Sequence, residues 1–315
     1  MRTALTDRTL SYVKYNEEHV TGELLRSYAK AVKLCGADYI EIDAKTAAKM
    51  ELDDFSEDYI LRVSTPYDFG YSTVMRFAYV AVPFRYAGWI ERLPEGQPAI
   101  VEVNADEYSA QAVLMYLKRF RFMEKVTAVR LVGVFGDSIA RLVKWARDDL
   151  FIPLDICPLN TMMTGVSDAV EADGAGVPML TLSFGRGYYF TSMEQYIINK
   201  HISQRVIMKN EIIKAICLAS FVFADIFSVI PAGLSSMLET ESELNASVYD
   251  AESGVLFRPY RSTGRSRRAA PTESAVEKKI RSIGFERDIE DAILDMLKKV
   301  NFSFYKEISK RNLID

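Results

Sequence analysis

Histidine is nearly missing from this sequence: His19 and His201 are the two in 315 residues. Imidazole is the usual nitrogen ligand of a catalytic divalent ion and the usual base near neutral pH, so a histidine-built centre would need both to converge. Cysteine is sparse too. Cys35, Cys157 and Cys217 lie far apart with no C-x-x-C spacing, which leaves neither a disulfide framework nor a zinc knuckle. No sign of charge dominates, with 43 acids against 39 bases and a net charge of −4, so no nucleic-acid partner is expected. The apolar run from Ile212 to Leu234 is interrupted by Lys214 and Asp225. What remains uncharged is about half of the ~20 residues that a bilayer span needs, which predicts a buried helix and no membrane partner. The first residues show no charged segment followed by an apolar one, so the expected compartment is a reducing cytoplasm.

What the chain has is apolar residue, at 49%, and enough length to bury a large core. Short β-rich runs occur at "TALT", "DYIEID", "YILRVS", "RFAYVAVP", "AIVEVNA", "AVRLVGV", "FIPLDIC" and "PMLTLS". Stretches with helical spacing separate most of them, clearest in "EEHVTGELLRSYAKAVKLCG", "ADEYSAQAVLMYLKRFRF" and "DSIARLVKWARDDL". Gly36 suits a left-handed cap at the end of the first. The units around strands three and four are too short for full helices. Eight strand–helix alternations describe an α/β fold, a (β/α)8 barrel over residues 1–205, with a doubly wound open sheet as the structural alternative. Residues 206–315 read as a C-terminal, mainly helical appendage: an apolar helix to Phe227, a polar irregular stretch, and two amphipathic helices broken near Gly284.

In such a barrel the active groups come from the C-terminal ends of the strands. The end of the first strand reads "TDRTLSYV", with Asp7, Thr9 and Leu10; the second, "GADYIEID", carries Glu41; the seventh, "LDICPLNTMMTG", carries Asp155, Cys157, Leu159 and Asn160. After the eighth comes "SFGRGYYFTSMEQY" with Phe190, and the tail holds "YDAESGVL" with Glu252 and Ser253. In register, these segments resemble the metal-dependent condensing and cleaving barrels that include homocitrate synthase, isopropylmalate synthase and HMG-CoA lyase. That family reads D-T-T-L-R-D-G, A-G-x-x-x-I-E-x-G, H-x-H-N-D, G-x-G-E-R-A-G-N and F-x-H-E-S-G-I-H at the corresponding places. The resemblance spans nearly the whole chain.

The resemblance implies an acyl-CoA and 2-oxo acid condensation or its lyase counterpart, a divalent metal as cofactor, and pairing between subunits through the tail. Its metal ligands and its catalytic arginine are replaced: Tyr12, Leu159 and Phe190 stand at three ligand positions and Ser11 at the arginine. Such residues remove charge and fill space, as an emptied polar site would otherwise bury unpaired groups at roughly 1–3 kcal/mol each. His19, near the catalytic rim, and His201, near the opposite end of the barrel, cannot chelate one ion together. No metal or other cofactor is therefore expected.

The remaining candidates keep two readings each. Glu41 is either a surviving acid or base or a structural carboxylate paired with an arginine. Asp155 and Cys157 alternate onto one face of the seventh strand and could join Glu41 as a redesigned set, with Asn160 beside them, or Cys157 is an unreactive core thiol. Asp7, Thr9, Tyr12, Phe190, Glu252 and Ser253 are the positions that would face substrate. The loop Phe184–Phe190 offers backbone N–H groups to a phosphate or forms a plain glycine turn. The cluster Arg258, Arg261, Arg265, Arg267 and Arg268 binds the phosphates of a CoA-like ligand or a partner's acidic face, or is solvated loop. Two functions follow: a diverged, weak or inactive acyltransferase of the homocitrate synthase type, or a non-catalytic scaffold or regulatory subunit, oligomeric with itself or with an intact homologue.

Overall fold

Strands buried on both faces read as near-continuous apolar runs, and eight such runs hydrogen-bond side by side, each parallel to the next. They are β1 (Ala4–Asp7), β2 (Tyr39–Asp43), β3 (Phe55–Arg62), β4 (Arg76–Pro83), β5 (Ala99–Asn104), β6 (Val126–Val132), β7 (Leu154–Cys157) and β8 (Met179–Leu182). β8 pairs back onto β1, closing the barrel. The computed structural model describes residues 2–227, apart from 16–17, 19, 53–54, 106–107, 109, 137, 161–163, 186–189 and 204–209, together with position 281.

The connections are α1 (Thr9–Tyr12), α2 (Gly22–Leu34), α3 (Ala44–Met50), α4 (Phe69–Val74), α5 (Ala110–Phe120), α6 (Ser138–Trp145), α7 (Gly165–Gly174) and α8 (Met193–Ser203), with α9 (Asn210–Phe227) after them. As the sequence implies, the units after β3 and β4 are slight: six-residue α4, and a 3-10 stretch at Phe84–Arg92. Gly36 takes a φ of +102°, ending the first long helix.

Two boundaries differ from the sequence pattern. The helix expected from Glu17 begins at Gly22, because the Thr21 hydroxyl accepts the Leu24 N–H at 3.2 Å and caps it there. His19 therefore precedes the helix and is itself outside the described residues. β3 starts at Phe55 rather than Tyr59, since Phe55 and Ser56 pair with Arg76 and Phe77 beyond a register shift; the polar "FSED" hides that extension.

Inward-facing residues recur every second position, and they form two kinds of layer. Lower in the barrel, Ala4, Tyr39, Ile60, Tyr79, Ile100, Ala128 and Met179 pack with Ala81 into an apolar plug. Two residues further along their strands stand Glu41, Arg62, Glu102 and Arg130. The core thus sits below and around a charged mouth. α9 packs outside on α2, the Phe223 ring lying 6.5 Å from that of Tyr28. The rest of the expected appendage, including Glu252, Ser253 and the arginine cluster, lies outside the described residues. Among the described residues no helix is long and apolar enough to cross a membrane.

Candidate functional site

Five strands each carry one arginine, glutamate or aspartate side chain into the mouth, and Arg8 follows directly after β1. Glu102, Arg130 and Asp155 stand in register on β5, β6 and β7, so the central guanidinium has a carboxylate on either side. Arg130 Nε donates to Asp155 Oδ2 at 2.6 Å, while Nη1 faces Glu102 Oε2 at 3.3 Å and also meets Glu41 Oε2. Arg8 reaches across: Nη2 lies 3.2 Å from Glu102 Oε2 and Nε 3.5 Å from Glu41 Oε1. Arg62 Nη2 donates to Glu102 Oε1 at 3.3 Å. Three guanidiniums therefore face three carboxyl groups.

Burial is severe. The side chains of Arg130, Glu41 and Asp155 are 0% exposed and Arg8 2%, against 25% for Arg62 and 12% for Glu102. Burial alone would raise the Glu41 and Glu102 carboxyls, but Arg130, Arg8 and Arg62 outweigh it: Glu41 is lowered, and Glu102 falls to about 2. Burial wins at Asp155, which is raised despite Arg130. Arg130 and Arg8 are desolvated as well, yet the surrounding acids push both above their ordinary value. The guanidiniums stay charged.

Over this network sits an aromatic cover. The Arg8 guanidinium lies 4.2 Å from the centre of the Phe190 ring, and Tyr12 meets that ring edge-on at 4.4 Å. Leu159 and Phe190 form an antiparallel bridge, and both join Val132, Cys157 and Tyr12 in one apolar cluster. The three residues that replace ligands in the family pattern thus pack together. Cys157 accepts from Arg8 Nη1 at 3.3 Å, but burial pushes its thiol up to about 11. A thiol raised this far is held in its protonated form, the less reactive one.

The sequence-derived candidates divide accordingly. Glu41, Asp155, Cys157, Tyr12 and Phe190 do meet in the mouth, and Ser11, at the lost arginine's position, donates to Glu41 Oε1 at 2.7 Å. Asn160 follows β7, half-buried beside Gly165, whose added Cβ would lie 3.2 Å from its Oδ1. Asp7 faces the other way. Buried between β1 and α2, it accepts from Thr9 Oγ1 at 2.6 Å and Tyr28 Oη at 3.1 Å; burial, only partly offset by these bonds, raises it to about 6. Thr9 Oγ1 in turn accepts the Phe184 N–H at 2.5 Å. Asp7 and Thr9 so tie β1 to the helix and to the loop after β8.

Ser11 stands where the family pattern has its arginine, as the sequence implies, but the mouth is not without arginine: Arg8, Arg62 and Arg130, which sequence reasoning did not single out, occupy it. Sequence reasoning also missed Glu102. The signal was present, because an Arg or Glu inside an otherwise apolar buried strand must find a counter-charge.

A divalent metal, implied by the family resemblance, does not fit these residues. Among the described residues no three His, Cys, Asp or Glu groups are arranged to hold an ion. The buried polar atoms of the mouth left without a hydrogen-bond partner among the described residues include Arg8 Nε, Arg62 Nε and Arg130 Nη2. These are donors on cations, and they repel a metal ion.

No protein-family model and no curated protein matches the sequence. Solved structures do share the fold. An HMG-CoA lyase from Pseudomonas aeruginosa superposes with a TM-score of 0.55 at 13% identity, over 71% of this chain and 92% of its own. One from Acinetobacter baumannii, in complex with coenzyme A and 3-methylmalate, gives 0.55 at 11% identity, over 72% and 93%. The N-terminal domain of a putative aldolase from Bacteroides vulgatus gives 0.50 at 13% identity, over 77% and 99%. The chain is thus a closed (β/α)8 barrel of the kind found in HMG-CoA lyases. At these identities the likeness is one of fold.

Proposed function

We infer that this barrel is catalytically silent toward acyl-CoA chemistry and works through assembly, as a scaffold or regulatory subunit whose natural partner is an intact homologue or a second copy of itself. One observation carries the reading: Arg8, Arg62 and Arg130 lie among Glu41, Glu102 and Asp155, so each acid that could bind an ion or move a proton already has a cation beside it. Condensing or splitting an acyl group and a 2-oxo acid passes through an enolate, whose charge calls for strong electrostatic stabilisation at an accessible position. Here the cationic groups are spent on the protein's own carboxylates. The coenzyme A complex of the Acinetobacter lyase makes an acyl-CoA the substrate to test. A homocitrate synthase-type activity, the competing reading, would have to use Arg62 and Glu102, the two members of the network with side chains above 10% exposure.

The test is calorimetric titration of metal-stripped protein with Mg, Mn and Zn, with and without acetyl-CoA, followed by an assay for CoA release over a panel of 2-oxo acids. The expected result is no saturating one-site heat and no release. One ion bound per chain, or CoA released above the uncatalysed rate, would overturn the inference.

A further inference from the structure

At the end of the barrel opposite the mouth, the chain leaving α5 toward β6 and the chain leaving α6 toward β7 border a groove of about 460 Å³, lined by Lys118, Arg121, Phe122, Trp145, Asp149 and Leu150. Its rim is unusually apolar for a surface. Phe122 is 83% exposed, and Phe151, next to Leu150, is 75% exposed. Met115, 61% exposed, lies on α5 about two helical turns before Phe122, with Lys118 between them on the same face. Contiguous exposed apolar surface of this kind marks interaction sites in soluble proteins.

The backbone adds a second observation. Residues Ala146–Leu150 form a π-helical turn, and Phe151 follows with φ +54° and ψ +34°. A left-handed cap suits glycine or asparagine, and a bulky residue adopts it at a cost. The turn therefore holds a strained phenylalanine out into solvent, where its ring gains nothing from the core. Arg121 stands between the two aromatic groups, its guanidinium carbon 5.8 Å from the centre of each ring.

The charges say what occupies the groove. Lys118, Arg119 and Arg121 are exposed at the end of α5 and are met in the lining by Asp149 alone, since neighbouring Asp148 is held by Arg147 at 2.8 Å. On a chain of net charge −4 this is a local basic edge beside an apolar one. We propose that this groove docks an acidic peptide segment of a partner protein, one that carries an aromatic or aliphatic side chain between its carboxylates. The side chain packs against Phe122 and Phe151 while the carboxylates meet Lys118 and Arg121. The surface is remote from the barrel mouth, and the proposal stands whether or not the mouth is catalytic.

The test uses fluorescein-labelled decapeptides in which one phenylalanine is moved along a run of glutamates, with glutamine-for-glutamate and lysine-for-glutamate copies, read by fluorescence anisotropy at low and high salt. Expected are saturable binding by the acidic set, weakened by salt and absent from the lysine copies, and a loss of about tenfold or more in Arg121→Glu and Phe122→Ser. Phe151→Gly should weaken binding while leaving the protein at least as stable in urea, because glycine suits the left-handed cap. That combination separates a docking role from a structural one. Failure of every acidic peptide to saturate, equal binding by the glutamine copies, or indifference to all three substitutions would overturn the proposal. So would sedimentation showing a wild-type dimer that Phe122→Ser converts to monomer, which would assign the surface to a second copy.

Discussion

Replacing Arg130 with methionine keeps much of the aliphatic stem but leaves Glu41, Glu102 and Asp155 with two cations, Arg8 and Arg62, in place of three. Asp155 loses most: its Oδ2 contact of 2.6 Å disappears, and the Thr181 hydroxyl at 2.9 Å is the hydrogen-bond donor that remains. Removing one partner of a buried ion pair costs about 3–5 kcal/mol, because the stranded charge has already been desolvated. Urea unfolding at pH 7, read by circular dichroism, should show that loss as a lower midpoint at an unchanged slope. Adding Asp155→Asn restores a balance of two cations to two anions, and the amide oxygen that replaces the carboxylate still accepts from the Thr181 hydroxyl. The double variant should therefore be more stable than Arg130→Met alone, a coupling of about 1 kcal/mol or more. The pH dependence has a definite sign. In Arg130→Met the stranded carboxyl has a folded pKa well above its unfolded one, so the deficit is largest at neutral pH and shrinks as pH falls and the group takes up a proton. A loss below about 1 kcal/mol for the single substitution, or strict additivity of the pair, would refute the idea that Arg130 holds the mouth together.

Two further outcomes follow from the same geometry. Burial raises the Asp7 carboxyl from an ordinary 3.8 to about 6, so the unfolded chain releases that proton first; the contribution of Asp7 to stability declines as pH rises through this window, by about 3 kcal/mol in all, and is flat above it. Asp7→Asn should remove that slope from a urea-midpoint series spanning about pH 4 to pH 7, and an unchanged slope would show that Asp7 is not its source. Gly22→Ala should destabilise by about 1–3 kcal/mol, since the new Cβ would lie 2.1 Å from the Lys49 carbonyl oxygen. A neutral result in thermal melts would mean that α2 and α3 can move apart.

The barrel was legible because its strands are buried on both faces and so read as short apolar runs, bounded by glycine, proline and acidic residues. All eight runs quoted from the sequence contain or overlap an observed strand. Boundaries were less legible where a local cap decided them, as Thr21 did for α2, or where polar residues paired across a bulge, as at Phe55 and Ser56 in β3. At the mouth, Glu41, Asp155 and Cys157 were found by following strand ends, and the packing of Tyr12, Leu159 and Phe190 by asking what would fill the ligand positions that the resemblance implies. The arginines were missed because the search followed motif positions. Arg130 sits inside β6 and Arg62 ends β3, a strand for which no motif was compared, and Arg8 lies three residues from the place the family pattern assigns to its arginine.

Those arginines change what Tyr12, Leu159 and Phe190 mean at the positions where the resemblance implies ligands. Were Tyr12, Leu159 and Phe190 the whole story, Glu41 and Asp155 would remain as buried carboxylates without a counter-ion, a state that burial makes costly enough to protonate them or unfold the barrel. Instead, in-register pairing of β5, β6 and β7 sets Glu102, Arg130 and Asp155 side by side, and Arg8 spans Glu41 and Glu102 from β1's end. The positive charge that a metal ion would bring to such a mouth is supplied by the chain itself, in groups that cannot give up a proton or open a coordination position. Restoring ligands at Tyr12, Leu159 and Phe190 would therefore not be enough to rebuild a metal site, because Arg130 would still hold the acids; removing it as well is the step that the structure makes necessary.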